Sequence, residues 1–276
     1  ATAKTQVSAI NNQLGEDVGI SVENATDAVK ESSDVILLKK DLNVLAEGVI
    51  EGRKAFANMS KYIKITASSN FGNICAVVVA GILLPFFPMT SIQLLLLNLL
   101  YDILCFVLPW DKVDEEMLHK PLEWSGKRLR GFITFFGPLS SVFDLITFAF
   151  LYFLLCPWIT GGSFKALSIA EQQHFITCFQ TGWFLESMWT QVLILQLLRT
   201  KKVPFIQSMP GKPVVVVTII GIVLFTLLPY TALGEMLGLC AMPLIYYAFL
   251  ISVVILYLLL VSFAKYVYIG KTNNLV

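Results

Sequence analysis

Charge is scarce in this chain. Asp, Glu, Lys and Arg make up 14% of its 276 residues, where soluble domains carry about 25%. Histidine is scarcer still: His119 and His174 are the only two, and both fall in expected loops, so a histidine-based metal site is not expected. The five cysteines, Cys75, Cys105, Cys156, Cys178 and Cys240, lie in or beside apolar runs and form no C-x-x-C pair. A structural zinc site or a disulfide framework is therefore not expected. No Gly-rich phosphate loop is present: Gly211–Lys212 lacks the upstream glycine spacing and the Ser or Thr after the lysine. The first sixty residues are polar and charged, which argues against a cleavable secretory leader. No internal repeat or low-complexity segment stands out, which counts against a secondary transporter built from inverted halves.

Apolar sequence is what the chain has in quantity. Hydrophobic residues make up 56% and mean hydropathy is +0.73, against about 45–50% apolar in soluble domains. The net charge of +1 gives no reason to expect nucleic acid as a partner. Six apolar runs, at about 62–87, 90–110, 131–156, 175–198, 213–232 and 243–266, are each long enough to span a bilayer. The loops between them alternate in charge. The 111–130 loop holds Lys112, Lys120, Lys127, Arg128 and Arg130, and the 199–212 loop holds Arg199, Lys201, Lys202 and Lys212. The 157–174 loop holds Lys165 alone, and the 88–89 and 233–242 loops hold no basic residue. The positive-inside rule puts the basic loops and both termini in the cytoplasm. Trp110, Trp158 and Tyr268 suit the interfacial aromatic belt, and the Arg199–Lys202 cluster suits topology setting and contact with lipid headgroups.

Residues 1–16 carry no period or motif and form an unassigned leader. Residues 17–61 read as a short cytoplasmic α/β piece followed by a stalk helix, and 62–276 as the membrane domain. In the α/β piece, strands are expected at DVGISV and DVILL. A helix from Asn24 to about Ser32 separates them, and Asp41 caps a long helix carrying Leu42, Leu45, Val49, Phe56 and Ile63. Strand–helix–strand–helix is the pattern of a parallel α/β layer. Some forty residues cannot build such a core alone, so packing against further protein is expected. The expected fold class is a mainly α membrane protein: a six-helix transmembrane bundle behind a short α/β remnant.

Polar side chains sit inside the first two apolar runs. Thr66, Asn70 and Asn73 share one face of the first by helical spacing, and Asn98, Tyr101 and Asp102 share one face of the second. An Asp inside hydrocarbon persists where it faces a partner or a water-filled path. Amide and carboxylate oxygens on two facing helices suit a hard cation such as Mg2+ or Ca2+. The candidate metal ligands are Asn70, Asn73, Asn98 and Asp102, with Ser68, Ser69 and Tyr101 as neighbouring donors. Each Asn can equally serve as interhelical hydrogen-bond glue. Gly72, between the two asparagines, suits the approach of a neighbouring helix or of a hydrated ion. Asp144 and Glu186 are the other acids at membrane depth. They are further candidates for the ion site, a proton or counter-ion path, or a buried structural pair. Gln191 lies on a partly different face from Glu186.

The order TASSNFGN, then NLLYD, then LPWDKVD resembles the fifth and sixth membrane helices of a P-type cation pump. The resemblance is to the magnesium-transporting P-type ATPases and covers the chain from about Asp17 to its C-terminus. It implies that 17–61 closes a phosphorylation domain and runs as a stalk into the membrane. It implies that Asn70 and Asn73 on the first helix, and Asn98 and Asp102 on the second, take ion-site positions. Related calcium pumps tend to carry a carboxylate where Asn73 stands, and the amide lowers the charge of the site. Acids also occur in such pumps in contexts similar to those of Asp144 and Glu186. The loop starting at Asp111 and Asp114 couples to the phosphorylation domain in that family; without that domain a solvated, capped helix end is the expectation here.

The DKTG, TGE and GDGxND signatures of the family are not in this sequence, and KTQVSA stands where the last would fall. The expectation is the ion-translocating part of a pump that moves Mg2+ across a plasma membrane. ATP would be used only in the full-length pump, and this chain would be inactive alone. The expected partners are lipids, Mg2+ and the missing N-terminal pump domains. The alternative is a passive six-span channel or a non-catalytic membrane interaction subunit.

Overall fold

A computed structural model describes residues 18–39, 41–119, 122 and 124–272. The expected leader at 1–16, and the ends of the chain beyond these bounds, lie outside the described residues. The chain divides into two units, Ala1–Ala55 and Phe56–Val276.

In the first unit, β1 (Ile20–Val22) pairs in parallel with β2 (Val35–Leu37), with Ile20 opposite Val35 and Val22 opposite Leu37. Helix α1 (Asp27–Ser32) makes the crossover. It starts later than expected: Thr26 rather than Asn24 holds the N-cap position, and it makes no side-chain cap bond. Asp34 fastens the strand entry by accepting a hydrogen bond from the Gly19 N–H at 2.8 Å. Val18, Ile20, Val35, Ile36 and Leu38 are all exposed, and α1 buries none of its residues. Parallel sheets are covered on both faces in stable domains, so two bare strands are a fragment of such a layer. Asp41 caps the next helix, α2 (Leu42–Leu83), by accepting from the Asn43 N–H at 2.8 Å.

The second unit holds the helical bundle. After α2 come α3 (Ser91–Phe106) and α4 (Gly126–Phe150). The latter continues through a π turn at Leu151–Leu155 into α5 (Cys156–Thr160). Then come α6 (Ile169–Leu198), α7 (Lys212–Leu227), α8 (Ala232–Met236) and α9 (Leu244–Thr272). Thr90 and Gln93 open α3 with a capping box at the turn after Pro85–Pro88, the T-x-x-Q signature of a helix start. Among the described residues, five helical stretches are long and apolar enough to cross a membrane: Asn43–Leu83, Ser91–Trp110, Gly126–Ala166, Lys212–Tyr230 and Leu244–Thr272.

Helix α6, the fourth of six long helices in chain order, differs from the rest. It packs against α3, α4, α7 and α9, and 20 of its 30 residues are buried, including Gln180, Glu186, Ser187, Thr190, Gln191 and Gln196. It is the axle of the bundle, and these buried polar side chains face protein. Some of them reach neighbours: Gln196 Nε2 donates to Thr218 Oγ1 of α7 at 2.8 Å, and Gln180 Nε2 donates to the Phe87 carbonyl at 2.9 Å.

Candidate functional site

The helix spacing that groups Thr66, Asn70 and Asn73 on α2 turns them toward Asn98, Tyr101 and Asp102 on α3. All six line one open groove of about 590 Å3, whose apolar walls are Ile74, Val77, Val78 and Leu94. Thr66 Oγ1 and Cys105 Sγ meet at 3.7 Å where the two helices touch. Asn70, Asn98 and Asp102 are exposed and Asn73 is half-buried. Among the described residues, none of these four side chains makes a hydrogen bond or ion pair, so their oxygens are free. Nor do three His, Cys, Asp or Glu side chains converge as a metal cluster among those residues. The groove offers amides around a single carboxylate.

Asn73 also lines a second space. Behind it, Ser68, Ser69, Ser140, Asp144, Thr190, Gln191 and Tyr257 surround an internal cavity of about 10 Å3, room for about one water. Gln191 therefore joins this lining although its spacing from Glu186 suggests another face. Asp144 Oδ1 accepts from the Trp183 indole N–H at 2.7 Å. Glu186 lies beside Asp144, and its Oε2 finds no hydrogen-bond partner among the described residues. Both are buried, at 4% and 1% exposure. Asp144 and Glu186 are thus brought to each other, and not into the groove with Asn70, Asn98 and Asp102.

Gly72 serves helix packing. A Cβ there would come within 2.1 Å of Ser140 Oγ and 2.7 Å of the Gly137 carbonyl. Gly137 on α4 is equally tight against Phe71 and the Ser68 carbonyl. Ser141 Oγ donates to the Gly72 carbonyl at 2.9 Å, so this crossing holds the Asn70–Asn73 turn of α2 against α4.

Two expectations at the basic end of the bundle are overturned. Asp111 is not a solvated helix end: it is 6% exposed. Its carboxylate accepts from Arg199 Nη1 at 3.2 Å on both oxygens, from Lys61 Nζ at 3.4 Å and from the Gly211 N–H at 2.9 Å. Arg199 does not reach headgroups: it is fully buried, and it also donates to the Ser208 carbonyl. The reason is charge balance, since a buried carboxylate holds only where cations and N–H donors surround it. Asn58 adds bonds from α2 to the Pro109 and Asp111 carbonyls, and Asp114 accepts from Thr200 and Ser208. Lys265 of α9 donates to the Leu197, Thr200 and Lys202 carbonyls. Lys202 pairs with Glu116 at 3.3 Å on the surface. Trp110 and Trp158 are exposed as an interface belt requires, whereas the Tyr268 ring packs among Phe132, Phe135 and Phe136. No local signal marks Lys61 or Arg199 as partners of Asp111; they stand 50 and 88 positions away.

Residues 86–267 match the family described as "Cation transporting ATPase, C-terminus". The chain is 45% identical over 255 residues to the "Magnesium-transporting ATPase, P-type 1" of Salmonella typhimurium, covering 92% of this chain and 27% of that protein. It is also 45% identical to the protein of the same name from Escherichia coli K12, over 90% of this chain and 26% of that protein. A more distant relative, the "Calcium-transporting ATPase 4, endoplasmic reticulum-type" of Arabidopsis thaliana, is 24% identical over 63% of this chain and 16% of that protein. The chain thus spans about a quarter of the length of the magnesium-transporting relatives.

Proposed function

Because the chain belongs to the cation-transporting ATPase family through its C-terminal region, we propose that it is the membrane part of a pump through which Mg2+ crosses. Asn70, Asn73, Asn98 and Asp102 are its ion-facing ligands. The observation that carries this reading is the groove itself, where four oxygen-bearing side chains from two helices converge with no protein partner. Mg2+ gives up its water reluctantly. Six waters occupy about 180 Å3 at liquid density, so a groove of about 590 Å3 takes the ion with most of its shell. One carboxylate holds such an ion without trapping it, which transport requires. The names of the relatives favour Mg2+ over Ca2+.

An exposed Asp102 and two exposed Asn on apolar helices are costly against lipid. The open side of the groove is covered by other membrane helices of the pump, contributed by the part of the relatives that lies outside this match. The ATP chemistry belongs to that part as well, and the bare β1–β2 layer docks there. We count α6 as a span too, the fourth of six in chain order, with the basic 111–130 and 199–212 loops and both termini on the cytoplasmic side of the plasma membrane.

The test is Mg2+ uptake by proteoliposomes of a full-length pump carrying this chain. Asp102→Asn abolishes uptake and leaves the melting temperature unchanged. Undiminished uptake would refute the site. Passive Mg2+ flux through liposomes holding this chain alone would favour a channel instead.

A further inference from the structure

At the end of the bundle with few basic residues, three groups stand in line that the transport reading does not use. Cys178 on α6 is 1% exposed, and its Sγ lies 3.2 Å from Cys240 Sγ in the connection between α8 and α9. One turn earlier on α6, in the helix and not in the loop expected for it, the exposed His174 presents Nε2 to Cys178 Sγ at 3.7 Å. Cys240 is half-buried, the more open of the two thiols. Its backbone N–H donates to Thr181 Oγ1 at 3.0 Å, which fixes the connection beside α6.

We propose that Cys178 and Cys240 are a redox-active pair that closes to a disulfide and ties the non-cytoplasmic end of α6 to the α8–α9 connection. The sulfurs must approach by about 1.2 Å to reach bonding distance, which side-chain rotation of Cys240 in a non-helical segment supplies. The oxidant is a disulfide, either a small molecule or a protein of the oxidising compartment. It exchanges with the more open Cys240 thiol, giving a mixed disulfide and releasing one thiol. His174 takes the proton from Cys178, and the resulting thiolate attacks Cys240 Sγ. The Cys178–Cys240 bond forms, the mixed disulfide breaks, and the second leaving thiolate collects the proton. Two thiols are oxidised and one disulfide is reduced. The absence of a C-x-x-C motif hides this pair in the sequence, since its members are 62 positions apart.

Only the sidedness comes from the preceding reading, and closure by added oxidant in unsealed membranes is independent of it. Membranes holding the chain are treated with glutathione disulfide or with diamide, or kept in dithiothreitol. They are then denatured with a maleimide-polyethylene glycol that counts free thiols. The reduced chain carries five. Oxidation is expected to leave three, with a cross-linked Cys178–Cys240 peptide by mass spectrometry and recovery of five in dithiothreitol. Cys240→Ser is expected to stay at four under both conditions. His174→Gln is expected to slow closure and keep the same end point; an unchanged rate would overturn the role of His174 as base. Five free thiols after both oxidants, a stable glutathione adduct at Cys240, or a bond to the buried Cys156 would each overturn the pair.

Discussion

Asp102 and Asp111 stand on one short stretch and do opposite jobs. Asp102 has open oxygens on the groove, while Asp111 is saturated by Lys61, Arg199 and the Gly211 N–H. Removing one partner of a buried ion cluster leaves charges that water cannot reach, at a cost of about 3–5 kcal/mol. Asp111→Ala should therefore lower the unfolding midpoint of the detergent-solubilised chain steeply. Adding Lys61→Met should recover part of that loss, because one stranded ammonium is removed. Asp102→Asn should change the unfolding free energy by less than about 0.5 kcal/mol, as for a surface change, and leave the midpoint nearly unmoved. A steep loss in Asp102→Asn, or none in Asp111→Ala, would reverse the two assignments. The groove residues were legible from spacing alone, since turns of one helix keep their side chains together. The Asp111–Arg199 pair was not: a lone arginine after an apolar run looks the same whether its partner is lipid or a distant carboxylate.

At the scale of elements, the α2–α4 crossing decides where the asparagines sit. Gly72 and Gly137 let the two backbones touch, and the Ser141 bond to the Gly72 carbonyl locks the contact. Gly72→Ala forces overpacking worth about 1–3 kcal/mol. Gly81→Ala on the same helix meets nothing within 4 Å and should be neutral or slightly stabilising through helix propensity. Equal melting shifts for the two variants would show that the crossing is not tight. The sequence offered both readings of Gly72, helix contact or ion approach, because a missing side chain does not say which neighbour uses the space. Asp41 as a cap was legible because it rests on adjacent residues. The π turn at Leu151–Leu155 carries no comparable signal: its residues are as apolar as those of the α-helix before it.

For the whole molecule, the helix least suited to lipid by composition is the one at the centre. Apolar windows identify Asn43–Leu83, Ser91–Trp110, Gly126–Ala166, Lys212–Tyr230 and Leu244–Thr272 as membrane-crossing, each with 28–44% of its window buried in protein. Helix α6 is missing from that set because it spends its positions on Gln180, Glu186, Thr190, Gln191 and Gln196, and these are affordable only where α3, α4, α7 and α9 surround it. A helix of this kind depends on its neighbours for insertion. Reporter fusions after the 199–212 loop should report the cytoplasm in the intact chain. A version truncated at the same loop, lacking α7 and α9, should give a mixed or inverted orientation. A truncated chain that inserts α6 as completely as the intact one would mean that its own apolar residues suffice. In that case the buried Asp144–Glu186 pair would not depend on the late helices for its shelter. If α6 does wait for α7 and α9, the polar interior of the bundle is assembled last, after the groove between α2 and α3 is already in the membrane.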